Sequence, residues 1–310
     1  MAIINVDDAY ILNETGAQVD KTTGIPFKNE SLTEAEAAQA RANIRAGGSN
    51  DNLLDNAYFV GGGSQLGDGV FPINQRGQAS YGAGQTIDRW KLSSGGTLVF
   101  TNEGISINGL FFQKEVIDFT VGETYTLSRQ TTDGNVVSVT GVVPSTEGWM
   151  IGDQNFGVYF RPSTKVCDIQ IWGTYLLRAV KLEKGTVSTL ANDAPPDFGE
   201  ELRKCQRRLF IHDFANGEII ANGFAVSASY SVLSLTLPVS MASDGTLTGT
   251  VTANPLIYGG GTSEQVSSFS VSAVKGNYAK IGVATTVMPS NNAVILYANT
   301  NIRLTISKEL

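Results

Sequence analysis

Histidine, cysteine and charge are all scarce in this chain, and each shortage removes a class of function. The only histidine is His212, and no Gly-x-Ser-x-Gly elbow occurs, so an esterase-like triad has no anchor. Two cysteines, Cys167 and Cys205, are too few for a disulfide framework and lack metal-ligand spacing, which makes them small core residues. Charged residues are 16% of the chain and the formal net charge is -7. Neutralising phosphates requires a surplus of Lys and Arg along one face, so nucleic acid is not an expected partner. No run approaches the ~18 apolar residues of a membrane span. Residues 1–11 also lack a basic segment followed by an apolar one. The expectation is a product made in the cytosol without membrane insertion.

The chain does have length, glycine and small hydroxyl residues. Its 310 residues include 34 Gly, enough for two or three domains and suited to short strands joined by tight turns rather than to helices. Residues 1–30 read as an extended arm. Ser31 and Glu34 form a capping-box pattern, and the helix formers from Thr33 to Ala46 stop at Gly47-Gly48, which predicts one helix with Leu32, Ala35, Ala38 and Ala42 inward. From 52 to about 190, short apolar runs alternate with Gly, Asp and Asn, as in an antiparallel sandwich. The runs are Thr97–Thr101, Ile105–Phe112, Thr124–Ser128, Val136–Val143, Val158–Phe160, Val166–Trp172 and Leu176–Glu183.

Pro195-Pro196 ends the sheet, because proline lacks a ladder donor. Asp197 then caps a helix with Glu200 at the third position. Phe198, Leu202, Cys205 and Leu209 follow at spacings of four, three and four, the stripe of a short coiled coil. So short a helix is marginal alone; its partners are copies of itself in neighbouring subunits, the favoured arrangement, or a domain of its own chain. Arg203, Lys204, Arg207 and Arg208 read as a solvated flank paired with Glu200 and Glu201. Beyond 211, Leu233, Leu235, Leu237 and Val239, then Phe269, Val271 and Ala273, then Ile302, Leu304 and Ile306 alternate with small polar residues. That period describes strands buried on one face, a second sandwich.

Three stretches resemble bacteriophage and prophage tail-fibre or receptor-binding proteins: Asn52-Leu53-Leu54-Asp55-Asn56 with Asn74-Gln75-Arg76-Gly77-Gln78 and Ile87-Asp88-Arg89-Trp90; Leu177 to Glu183; and above all Ala191 to Phe210. Leu32 to Ile44 resembles a connector in the particle-proximal part of such fibres. Gly122 to Ser128 with Ala179 to Gly185 resembles jelly-roll carbohydrate-binding modules, although the Gly-rich stretch between Asn56 and Asn74 departs from them. The resemblance implies a mostly β homotrimer located in the virion: two antiparallel, jelly-roll-like β-sandwich domains joined by a short helix, behind an N-terminal arm and helix. Residues 1–48 would attach to a phage tail or baseplate protein, 49–192 form the body, 193–210 the trimerising link through Phe198, Leu202, Cys205 and Leu209, and 211–310 the tip. It implies adsorption to a host-surface glycan. Alternatives are a structural adaptor that binds no glycan, and a glycan-degrading enzyme.

A sugar ring packs its C–H patches on an aromatic face and pairs its hydroxyls with amides and carboxylates. In the body Trp149 and Tyr159 flank Asp153 and Asn155, a candidate platform, with Trp149 open to a core reading as well. Trp90 and Trp172 read as core. In the tip the candidates are Tyr258, Glu264 and Gln265 in a polar loop, and Asn291 and Asn292 in a turn. Carboxylates for glycoside hydrolysis exist in Asp118, Glu123, Asp153 and Asp168, but such residues occur in nearly every sandwich, and no regular repeat of a β-helix is visible. No cofactor is expected. The resembled modules often hold a structural calcium, yet no Asp-x-Asp-x-Asp loop is present.

Overall fold

The computed structural model describes residues 10–12, 18–20, 50–62, 70–244 and 246–309. The chain divides into two compact units, 1–50 and 51–310. In the first, Tyr10–Leu12 and Gln18–Asp20 pair antiparallel, with Tyr10 opposite Asp20. The helix expected over 33–46 lies outside the described residues.

The second unit is mostly β and holds two large hydrophobic cores, one drawn from residues 54–182 and one from 210–306, with a smaller cluster of Phe71, Ile73 and Cys205. Around the first, strands form close to the apolar runs that predict them: Thr97–Thr101, Gly104–Val116, Thr124–Thr131, Val136–Val142 and Phe156–Arg161. The two runs expected at 166–172 and 176–183 are one strand of 19 residues, Val166–Lys184. Its first part pairs with Gly104–Val116, and from Leu177 onward it pairs with Thr124–Thr131, the register shifting between Leu177 and Ala179. Gly173, opposite Gly109, reads as a break, yet the ladder runs through it without a change of register. Trp90 stacks on Phe111 at 4.4 Å between centroids, and Phe59 meets both edge-on.

Trp172 overturns its expected place in the core. It is half exposed, at 51%, because Ile169 and Ile171 point inward and strand alternation turns the next residue out.

The link helix α1 spans Phe198–Gln206, and Asp197 accepts a hydrogen bond from the Glu200 amide at 2.8 Å. Its apolar stripe packs on residues of its own chain. Phe198, Leu202 and the fully buried Cys205 pack on Phe71, Ile73 and Tyr58 of the same chain, Phe198 meeting Phe71 edge-on at 5.7 Å. Leu209 lies past the helix end and opens the strand Leu209–Phe214. Within the chain, the segment around Phe71 supplies cover for this stripe. The basic flank is also reassigned in part. Lys204 pairs with Glu201, but Arg208 makes a two-pronged bond with Asp244, at 2.7 and 2.8 Å.

The tip core lies between two sheets. One joins Leu209–Phe214, Ile302–Ser307 and Thr248–Val251; the other has seven strands, in the order Thr262–Gln265, Leu256–Gly259, Ala293–Tyr297, Ile219–Ser227, Tyr230–Thr236, Tyr278–Ala284, Ser268–Lys275. Leu233, Leu304 and Ile306 are fully buried, as their alternation requires. Polar contacts tie this tip to the body. Gln75 Nε2 donates to Leu209 O at 2.7 Å and to Asp88 Oδ2 at 2.6 Å, Arg303 Nη1 donates to Arg76 O at 3.2 Å, and Arg76 pairs with Glu309.

Candidate functional site

Four residues singled out in the body meet on one hairpin, formed by Gly148–Gly152 and Phe156–Arg161. Trp149 stands directly opposite Tyr159, and the rings meet edge-on at 5.4 Å. Trp149 is 39% exposed, so it belongs to the surface and not to the core. The Asp153 carboxylate accepts from the backbone amides of Asn155 and Phe156 at 2.7 and 3.3 Å, which closes the turn and holds its pKa below the usual carboxylate range. Gly157 makes this turn possible: a Cβ there would stand 2.5 Å from Asp153 O.

Tyr159 faces Asp168 on the next strand, and Asp168 faces Lys114. Around it runs a polar chain: Tyr159 OH donates to Glu147 at 3.2 Å, Arg161 lies over the Tyr159 ring at 4.9 Å, and Arg161 Nη1 donates to Asp168 Oδ2 at 2.7 Å. Burial, followed by the Glu147 bond, raises the Tyr159 pKa, so the phenol stays a donor at neutral pH. Asp168 Oδ1 has no hydrogen bond among the described residues and faces Lys114 Nζ at 3.9 Å.

Four residues along the strand from Asp168, on the same face, stands Trp172. Its amide donates to Asn155 O at 2.7 Å, which fastens the Asp153–Asn155 turn beside it. Trp149 and Trp172 are two strands and four residues apart, roughly 16 Å from the ladder spacings. The result is a shallow face with an exposed indole at each end and Asp153, Asn155, Glu147, Arg161 and Gln170 between or beside them. Only parity could have placed Trp172 in it, and the hydrophobic run around it concealed the parity.

The tip candidates do not form one site. Glu264 stands opposite Ile257, turned away from the face that Tyr258 occupies. Its carboxylate accepts from the Thr286 amide and hydroxyl at 2.7 and 2.6 Å, a local clamp. Gln265 Nε2 reaches Asn254 O at 3.4 Å. Asn291 occupies the left-handed turn position with φ 63°, and backbone bonds tie it and Asn292 to Ala225. Tyr258 itself is 47% exposed, opposite Ile295.

The residues considered for catalysis are separately engaged. The His212 ring lies beside Phe210 and Phe214, 4.4 Å from the latter. Asp118 pairs with Lys165, Glu123 with Lys184, and Asp168 with Arg161. A concavity of about 380 Å3 between body, α1 and tip is lined by Asp55, Glu115, Arg208 and Asp244. Its acids are held by Arg89 and Arg208. Among the described residues no group of three or more His, Cys, Asp or Glu side chains could hold a metal ion, and no helix is long and apolar enough to cross a membrane. Compared with family models, with curated proteins and with solved structures, the chain has no match in any of the three.

Proposed function

We propose that this chain is an adhesive subunit of a phage or phage-tail-like fibre, which adsorbs to a bacterial surface by binding a surface glycan through the Trp149–Trp172 face of the body. The observation that carries this reading is the pair of exposed indoles on one sheet face with amide, carboxylate and guanidinium groups beside them. Exposed tryptophans are costly unless something covers them, and a sugar chain supplies both the C–H surface and the hydroxyls for the polar flank. A structural adaptor would have no reason to leave Trp149 and Trp172 uncovered in this setting. A hydrolase would need two carboxylates free to face a glycosidic bond, whereas Asp118, Glu123 and Asp168 each have a cationic partner and Asp153 closes a turn. Attachment through residues 1–48, homotrimeric assembly and residence in the virion complete the reading and come from the resemblance described above.

Binding of the purified full chain to intact candidate host cells and to their isolated surface polysaccharide tests it, with Trp149→Ala and Trp172→Ala compared with the unaltered protein. Each substitution should weaken binding at least tenfold while the circular dichroism spectrum stays unchanged. Binding that both folded variants retain in full would remove this face from recognition.

A further inference from the structure

The outer face of the seven-stranded tip sheet is apolar where an antiparallel sheet with one wet face should be polar. The inner face is spent on the tip core through Leu233, Ile281, Val283 and Leu296. On the outer face Ile219, Phe224 and Val226 project from one strand, Tyr230 from the next, and Tyr258 from a third, all exposed; Phe224 reaches 54%. Val232 faces Phe224, and Ile295 faces Tyr258, so the exposed side chains are contiguous. Gly282 extends the patch: its missing Cβ is the space taken by Tyr230 Oη, 2.4 Å from where that carbon would stand, so the tyrosine lies flat across the sheet.

Charge is as sparse here as apolar surface is plentiful. The charged side chains on this face are Lys275 and Lys280, on the last two strands, and no acid joins them among the described residues, although the chain carries a net charge of -7. Depletion of charge with enrichment of aromatics is the composition of the centre of a protein interface. Seven strands at ~4.8 Å spacing, about seven residues long at ~3.3 Å each, make a face of roughly 700 Å2. That is close to the ~800 Å2 per partner of a standard interface. A sugar is the poorer occupant. Its polar groups are the amides of Asn222 and Gln265 and the hydroxyls of Ser234, Thr236 and Ser263, and it holds no carboxylate among the described residues, whereas the body face surrounds its indoles with carboxylates, amides and guanidinium.

We infer that this face is covered by neighbouring copies of the chain, tip sheets packed against one another around a common axis, with Phe224 and Tyr258 at the centre of the contact. The inference is independent of the glycan reading. Sedimentation equilibrium of the full chain tests it. The unaltered protein should form an oligomer at micromolar concentration, and the double variant Phe224→Glu, Tyr258→Glu should dissociate at least a hundredfold more readily. A monomer mass for the unaltered chain, or an unchanged mass for the folded double variant, overturns the inference. If the double variant does not fold, Asn222→Cys decides. Both native cysteines are free and buried, so under oxidation the introduced thiol should link two chains, while Ser138→Cys on the body stays unlinked. Equal, absent linking in both overturns the inference.

Discussion

The two β regions of this molecule distribute polarity in opposite ways. The body buries charge: Lys181, Glu183, Asp88, Arg89 and Glu115 are all inside, and Arg129 lies between the Phe156 and Tyr175 rings at 4.5 and 4.0 Å. The tip interior, by comparison, buries only Ser231 and Thr285 among the polar residues described, and leaves Phe224, Tyr230, Tyr258 and Tyr278 outside. A buried ion pair contributes little net stability, but it fixes geometry, since each charge tolerates one arrangement of partners. The body therefore holds its loops in register with buried polar bonds, and its outer face can carry a defined mixture of indoles and charges. The tip has no such internal device and carries a face whose apolar surface calls for a partner.

The comparison breaks most directly at Lys181. Its ammonium donates to Thr189 at 2.8 Å and to both Asp193 oxygens at 2.7 Å, with Glu183 at 3.8 Å. Lys181→Ala should strand these acids and cost about 3–5 kcal/mol. Lys184→Ala, three residues on and exposed, should leave stability nearly unchanged. Urea unfolding followed by hydrogen exchange of separate segments should show the loss in the body first. Equal effects of the two substitutions would mean that Lys181 is not held as described.

A pH series sharpens the same contrast. Burial, opposed by Arg76 and by Gln75, pushes the Asp88 carboxyl up to about 7. In the unfolded chain it titrates near ~3.9. Between those values the unfolded chain has released the proton and the folded one keeps it, so stability falls as pH rises through about 4 to 7 and levels off above. This group alone should make the protein more stable at pH 5 than at pH 8 by a few kcal/mol. The loss should appear as weaker amide protection around Gln75 and Leu209 and not in the strand Tyr230–Thr236. Asp88→Asn should reduce the slope and leave the share of Glu115, whose carboxyl burial also pushes up to about 7; an unchanged slope in that variant would assign it to other groups.

The third difference lies in the outer faces. Trp149→Ala should lower glycan affinity at least tenfold, about 1.4 kcal/mol, and leave the sedimentation mass alone. Phe224→Glu should do the reverse. A substitution that changed both properties would join the two faces into one functional surface.

Much of this division was readable from residue order, and the unread part has a common cause. Leu233, Leu304 and Ile306 declared their inward face by alternating with small polar residues, and Asp197 declared a helix start by its spacing to Glu200. Trp172 escapes this reading because a continuous apolar run hides which residues point in. The stripe Phe198, Leu202, Cys205 showed that α1 has an apolar side but could not show that Phe71 and Ile73, more than a hundred residues earlier, would cover it. The polar stretch 258–265 reads as a flexible loop, yet Leu256–Gly259 and Thr262–Gln265 pair as a hairpin whose turn is Gly260-Gly261. Local pattern records which residues avoid water; it is silent on which distant segment takes the water's place.

That lesson also bears on the smallest effect, at the start of α1. The Asp197 side chain satisfies the Glu200 amide, one of the donors that every helix leaves unpaired at its start. Asp197→Ala removes that bond and a favourable charge beside the helix dipole, so it should cost about 1 kcal/mol. A helix of nine residues that depended on its own propensity would fray under such a loss, because so short a helix is marginal in water. This one is clamped by Phe71 and Ile73, so the amides of Leu202 to Cys205 should keep their protection from exchange in Asp197→Ala while those of Glu200 and Glu201 lose theirs. Loss of protection along the whole of α1 would show that the cap, and not the contact with the body, keeps the link between body and tip folded.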